Sequence, residues 1–150
     1  MLTVIQRVSY ANVVVDSKTI GEIKQGIVAL LAIEKDDDEK DAKQLIDRIL
    51  NYRIFADDND KMNLSLRDIN GGLLLIPQFT LAADTQKGTR PSFTAAASPS
   101  IASPLFDFVI QYATEQYSQI ASGQFGADMQ VSLCNDGPVT FTLTSNNRPN

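Results

Sequence analysis

Apolar and polar residues alternate along positions 2–15, where Val4, Val8, Tyr10, Val13 and Val15 stand among polar neighbours. This period of two predicts one long, half-buried strand, bulged near Ser9. Asp16-Ser17 makes a turn, and Thr19–Ile23 returns as the second arm of a hairpin. After Gly26 the pattern changes: Ile27 to Ile33 is continuously apolar, which predicts a short strand buried on both faces. Glu34 to Asp41 is a charge run, read as a solvated loop entering the first turn of a helix, where acids complement the helix dipole. Ala42, Leu45, Ile46, Ile49 and Leu50 then recur at helical spacing. Arg53–Phe55 is a short strand candidate, residues 57–61 a polar loop, and Asn70-Gly71-Gly72 a turn. Leu73–Ile76 reads as a second buried strand, ended by Pro77.

From Ala82 to Ser103 the composition shifts to Thr, Ser, Ala, Lys and Pro, a long connection of the kind that carries function. Ser103 as cap and Pro104 in the first turn open a second helix. Its apolar face holds Leu105, Phe108, Val109, Tyr112, Ala113, Tyr117 and Ile120, with Gly123 ending it. At this spacing the aromatics are core residues. Two alternating runs close the chain, one on Met129, Val131 and Leu133, the other on Val139, Phe141 and Leu143. Asp136-Gly137-Pro138 between them predicts a tight hairpin turn. Residues 144–150 form a polar tail, expected to fray. There is no internal repeat and no linker, so residues 1–150 read as one domain. Its class is α/β: a layered β/β/α arrangement with mixed sheets and two main helices.

Composition narrows the function. With 150 residues, 43% of them hydrophobic, the chain can bury a core without a disulfide or metal. Its single cysteine, Cys134, fits a reducing compartment, and no apolar run is long enough to span a bilayer. A cytoplasmic location is expected. The net charge of −5 argues against a broad basic surface for DNA, though not against a pocket that grips one nucleotide end. The lack of any histidine excludes Ser-His-Asp and Cys-His catalysis and His-ligated zinc, and one cysteine excludes four-cysteine zinc. The acids of residues 34–41 do not follow the spacing of a calcium loop. Neither metal nor cofactor is expected. The chemistry falls to hydroxyls, carboxylates, lysine, backbone dipoles or the substrate itself.

Gln78-Phe79-Thr80 follows a buried strand, so its polar groups emerge at the strand's C-terminal edge. Thr80 is a weak nucleophile without a base, whereas backbone N–H groups at such a transition can form an oxyanion hole. A plain strand end with a satisfied glutamine fits the same residues. Arg7, taken alone, is a charge on a solvated strand.

Four stretches in order, PQFTL at 77–81, KGTRPSF at 87–93, FGADM at 125–129 and NDGPVT at 135–140, together with Arg7, resemble the D-aminoacyl-tRNA deacylases. The resemblance runs from Met1 to about Leu143. It implies a compact cytosolic homodimer that hydrolyses the ester between a D-amino acid and the terminal adenosine of tRNA, with no membrane partner. It assigns the Phe79 and Thr80 amides to the oxyanion, supported by Gln78 and the Thr80 side chain. It puts Gly137-Pro138 in a cis peptide projecting into the partner's pocket, where its carbonyls accept the substrate ammonium, with Arg7 and Asn135 beside it. It gives Lys87, Arg90, Ser92 and Phe93 to the tRNA end. Pro77 departs from the family, which usually carries serine there; a sister branch of relaxed chirality resembles PQATL at this place. That sister activity, or a non-catalytic module that binds the aminoacyl-tRNA end or a free D-amino acid, is the alternative.

Overall fold

The computed structural model describes residues 1–145, and its frame is a six-stranded sheet. The central strand is β1 (Leu2–Val15). Along one edge its first half pairs antiparallel with β3 (Gly26–Ala32) and its second half with β2 (Lys18–Ile23). Along the other edge runs β8 (Gln130–Thr144), antiparallel over nearly the whole length of β1. β6 (Gly72–Pro77) extends the sheet parallel to β3, and β7 (Ile120–Ser122) lies parallel to β6. Parallel steps need crossovers. They are supplied by α1 (Glu39–Asn51) and α3 (Pro99–Gln116), which pack on one another over one face of the sheet. β4 (Phe55–Ala56) and β5 (Met62–Leu64) form a separate ribbon, followed by the single turn α2 (Leu66–Ile69). The α/β class, with a mixed sheet and two main helices, is as the sequence predicts. Among the described residues no helix is long and apolar enough to cross a membrane.

The sheet serves two cores. Met1, Ile5, Ile27, Ala29, Leu73 and Leu75 face the helices, whereas Val8, Ala11, Val13, Val28, Leu74 and Ile76 fill a smaller cluster on the other face. Alternation along β3 and β6 sends neighbours to opposite cores, which is why both runs are apolar throughout. On β1 the odd residue Ile5 faces the helices, but the odd residues Ala11 and Val13 face the other way. One extra residue flips every side chain that follows. The register against β8 shifts between Val8 and Tyr10, where the sequence predicts the bulge.

β8 corrects the expected C-terminal hairpin. It is one strand, and Asp136 to Val139 bulge out opposite Arg7 between the pairs Gln6↔Thr140 and Val8↔Asn135. The Asp-Gly-Pro signal does mark a break in the ladder. The chain nevertheless continues forward, because β1 offers pairing partners on both sides of the break. The last residue of the bulge, Val139, and Leu143 beyond it join the helix-side core, while Leu133 before it packs on the other.

Three further expectations need correction. α3 starts at Pro99 behind Ser98, and Pro104 lies inside it. Ser98-Pro99 and Ser103-Pro104 carry the same local signal, and burial of Ala102 and Leu105 selects the earlier start. The helix also ends at Gln116, not Gly123, since residues 120–122 are drawn into pairing with Leu73–Leu75. Nor is the polar tail loose at its start: Thr144 ends β8 and Ser145 is buried, its N–H donating to the Met1 carbonyl (3.1 Å). Residues 146–150 lie outside the described residues.

The charge run 34–41 organises the N-terminal end of α1. Asp38 accepts from the Lys40 and Asp41 amides, and the Asp41 carboxylate accepts from the Asp38 amide, a reciprocal capping box. The buried Met1 ammonium pairs with Asp37 and donates to Ser145 Oγ (3.2 Å). Burial works to raise the Asp41 pKa. Hydrogen bonds from Ser145 and Asp38, with the nearby ammonium, outweigh it and leave the pKa lowered. The Ser65 amide and hydroxyl lower that of Asp68 in the same way at the start of α2.

A folded-state pKa below the unfolded value gives stability that is present above the unfolded pKa and lost as pH falls through the folded one. The urea midpoint is therefore expected to hold from neutral pH to about 5 and to fall below about 4. Asp41→Asn should flatten part of that fall in urea titrations at stepped pH. A midpoint that rises on acidification would contradict this.

Candidate active site

β6 ends at Pro77, and the Gln78 N–H donates to the Leu31 carbonyl (2.8 Å), carrying the ladder with β3 one residue further. The chain then tightens into a single 3₁₀ turn, Phe79–Ala82. The first donors of a helical turn have no carbonyl behind them. Among the described residues neither the Phe79 nor the Thr80 N–H finds an acceptor. The Gln78 side-chain amide donates to Thr80 Oγ1, which fixes this hydroxyl beside the turn. Gln78 is thus a bonded strand-end glutamine and also a brace for Thr80.

Pro77, Gln78 and Phe79 form one wall of a cavity of about 640 Å³. Sequence reasoning missed most of the rest: Ala102 and Phe106 from α3, and Phe125, Asp128 and Met129 from the loop before β8. Their only signal was the FGADM stretch. Phe125 packs on Phe106 with ring centroids 6.3 Å apart, and Met129 accepts at sulfur from the Gln124 amide (3.4 Å), so the loop is anchored on both sides of Asp128. The walls are largely apolar, which strengthens any hydrogen bond made inside. Among the described residues no group of three or more His, Cys, Asp or Glu converges to hold a metal.

The second set of site residues sits on the β8 bulge. Gly137-Pro138 is cis, and both residues are exposed. Arg7, which the sequence alone leaves as a solvated charge, is mostly buried: its Nε donates to the Asp136 carbonyl (2.9 Å) and its guanidinium to the Ile54 carbonyl (2.8 Å). From the other side Asn135 Oδ1 accepts from the Val139 amide (2.8 Å) while its Nδ2 donates to Thr140 Oγ1 (2.9 Å). Arg7 and Asn135 therefore hold the bulge through hydrogen bonds to the protein itself. None of these four residues lines the cavity. Within one chain the two sets of residues expected at the site are not brought together.

Lys87, Arg90 and Ser92 lie on an exposed loop closed by Asp84 and Ser92, whose amides and carbonyls exchange hydrogen bonds of 2.8 and 3.0 Å. Of the residues expected at the tRNA end only Phe93 reaches the cavity, its ring 5.2 Å from that of Phe79.

The profile of the D-Tyr-tRNA(Tyr) deacylase family matches residues 4–144. The chain belongs to that family. A D-aminoacyl-tRNA deacylase of Pseudoalteromonas translucida is 57% identical over 143 residues, covering 95% of this chain and 99% of the relative. One from Herminiimonas arsenicoxydans is 56% identical over the same length, with 95% and 96% covered. Among solved structures, a c-Myc DNA unwinding element binding protein superposes with a TM-score of 0.92 at 36% identity, covering 97% of this chain and 99% of the other. A probable eukaryotic D-amino acid tRNA deacylase shares the fold, with a TM-score of 0.81 at 16% identity over 95% and 97% of the two chains. The family's match spans both halves of the site, from Arg7 to the β8 bulge.

Gly137 has φ +139°, closed to most side chains, and a Cβ there would lie 2.7 Å from Val139 Cγ2 and 3.1 Å from the Arg7 guanidinium. Gly137→Ala is expected to cost about 1–3 kcal/mol in urea unfolding. An unchanged midpoint would show that the bulge relaxes freely.

Proposed function

We propose that this chain, as a D-aminoacyl-tRNA deacylase, binds the terminal aminoacyl-adenosine of tRNA in the cavity and reads chirality through Gly137-Pro138 of a second copy. The observation that carries the reading is the pair of unsatisfied amides, Phe79 and Thr80, on a turn whose first residue, Phe79, lines a largely apolar cavity that Thr80 itself does not line. An aminoacyl ester next to a ribose hydroxyl is already activated. Hydrolysis then needs positioning and stabilisation of the oxyanion, not a histidine base. The two amides supply the oxyanion donors, and Gln78 holds Thr80 so that the turn keeps its shape. Water attacks the ester carbonyl carbon, the C–O bond to the ribose breaks, and the ribose oxygen leaves with a proton, giving free amino acid and tRNA. A substrate taken from translation fits a cytoplasmic protein.

The dimer part rests on β8. It pairs only with β1 among the described strands, and its open edge carries exposed Val131 and Phe141 as well as the bulge. Because Gly137 and Pro138 are exposed and absent from their own chain's cavity, they complete a site only by entering that of a partner. There their carbonyls accept the substrate ammonium. With ammonium and ester carbonyl both fixed, an L side chain meets the Gly137-Pro138 backbone, and a D side chain points outward. Selection is by exclusion. Lys87, Arg90 and Ser92 lie where the RNA backbone leaves. Pro77 on the cavity wall favours one second reading, the sister deacylase of relaxed chirality.

Matched D- and L-aminoacyl-tRNA and glycyl-tRNA, followed for ester loss, test the reading. D-aminoacyl and glycyl esters should be cleaved and the L ester should persist. Glycyl-tRNA that binds but resists cleavage would overturn selection by exclusion, and cleavage of a small L ester would favour the sister activity.

Activity should also fall with the dimer fraction on dilution, read by sedimentation and kinetics at the same concentrations. A fully active monomer would remove the composite site.

A further inference from the structure

Phe79 and Phe93 are large apolar side chains left 57% and 42% exposed at the cavity. Their ring centroids lie 5.2 Å apart with planes tilted by 55°, and both side chains keep open surface. Neither ring is needed to close the core: both lie outside the two buried clusters. Immediately before Phe93 the loop closed by the Asp84–Ser92 bridge carries Lys87 and Arg90. Both are exposed, and among the described residues neither forms an ion pair. In a chain of net charge −5, these two cations stand on the loop that leads directly into an exposed aromatic pair. Aromatic faces with neighbouring cations are how proteins hold single-stranded nucleic acid, the rings stacking on bases and the cations meeting phosphates.

We propose that the Phe79–Phe93 pair is a stacking platform for the penultimate nucleobase of the RNA 3′ end, with Lys87 and Arg90 contacting the phosphates next to it; this rests on the hydrolase reading above. The ester must reach the Phe79 and Thr80 amides, so the terminal nucleoside occupies the cavity and its 5′ phosphate leaves past Phe79. The next base then emerges where the ring pair is exposed. Stacking is tolerant of base identity because every base offers a π face. The platform thus adds affinity for a single-stranded end without reading its sequence, and leaves chirality to the cavity.

The test is a cycle on protein and RNA together. Wild-type protein and Phe93→Ala are assayed on a D-aminoacyl minihelix with its penultimate cytidine intact, and on the same minihelix with an abasic site there. Removing the base should lower kcat/KM of the wild type by about 5–150-fold, the worth of one stacked base. In Phe93→Ala the same removal should change kcat/KM by less than about 2-fold, and Phe93→Tyr should restore the wild-type penalty. An equal penalty in wild type and Phe93→Ala, or none in the wild type while the ester is still cleaved, overturns the platform and leaves the hydrolase reading standing. If the wild type cleaves no D-aminoacyl ester, on minihelix or on aminoacyl-adenosine, both fall together.

Discussion

The break in pairing between β1 and β8 is the constraint on which the rest of the molecule depends. β1 turns its odd-numbered residues toward the helices at Ile5 but toward the smaller core at Ala11 and Val13. A strand of strict period two cannot provide that without an added residue. The irregularity around Val8–Tyr10 supplies the change on β1, and the excursion Asp136 to Val139 answers it on β8. A device required for burying two cores thereby raises a short, exposed segment at a fixed place on the edge strand. Its shape is set by neighbours: Arg7 grips the Asp136 carbonyl from β1, and Asn135 ties the two ends of the excursion together.

A second consequence follows from the parallel pair β3 and β6. Gly26 and Gly72 open it, and a Cβ on Gly26 would sit 1.9 Å from the Gly72 carbonyl oxygen, so the strands start together only because Gly26 lacks a side chain; a Cβ on Gly72 would instead lie 2.7 Å from Ile23. From that common start β3 and β6 run in register to Leu31 and Pro77. Their shared end is where the backbone leaves the ladder and turns, and the turn leaves two amides without acceptors. The two free donors at the candidate site are therefore products of strand register and not of any reactive side chain. On the proposed reading, this is what lets a chain with no histidine offer electrostatic stabilisation. Backbone dipoles held by the fold need no reorganisation and do not titrate.

Much of the fold was legible from local pattern. The period of two on residues 2–15, the apolar runs of β3 and β6, and the helical spacing of Ala42 to Leu50 all reappear as elements. Each is buried on the faces its pattern implies. The capping box at Asp38 was latent in the charge run. Of the candidate site, Gln78-Phe79-Thr80 was marked by its position after a buried strand, and the other residues expected there by Arg7 and the four stretches that resemble the deacylase family. The cavity walls from α3 were not legible, because Ala102 and Phe106 look like ordinary helix-core residues until the loop carrying Phe125 is laid against them.

Sequence by itself determined the elements whose stability is local: alternation, continuous apolar runs, caps and turn residues. It also set the limits on chemistry, since absent side chains stay absent in every fold. Tertiary structure decided wherever two local solutions were equivalent. Ser98-Pro99 and Ser103-Pro104 could each open α3, and contacts of Ala102 and Leu105 chose between them. Residues 120–122 could have extended a helix, but the open edge of β6 paid their backbone with hydrogen bonds and made them a strand. Asp136-Gly137-Pro138 could have reversed the chain. It became a bulge instead, because β1 is long enough to pair on both sides of it, and strand length in space is a property that no local window of sequence contains.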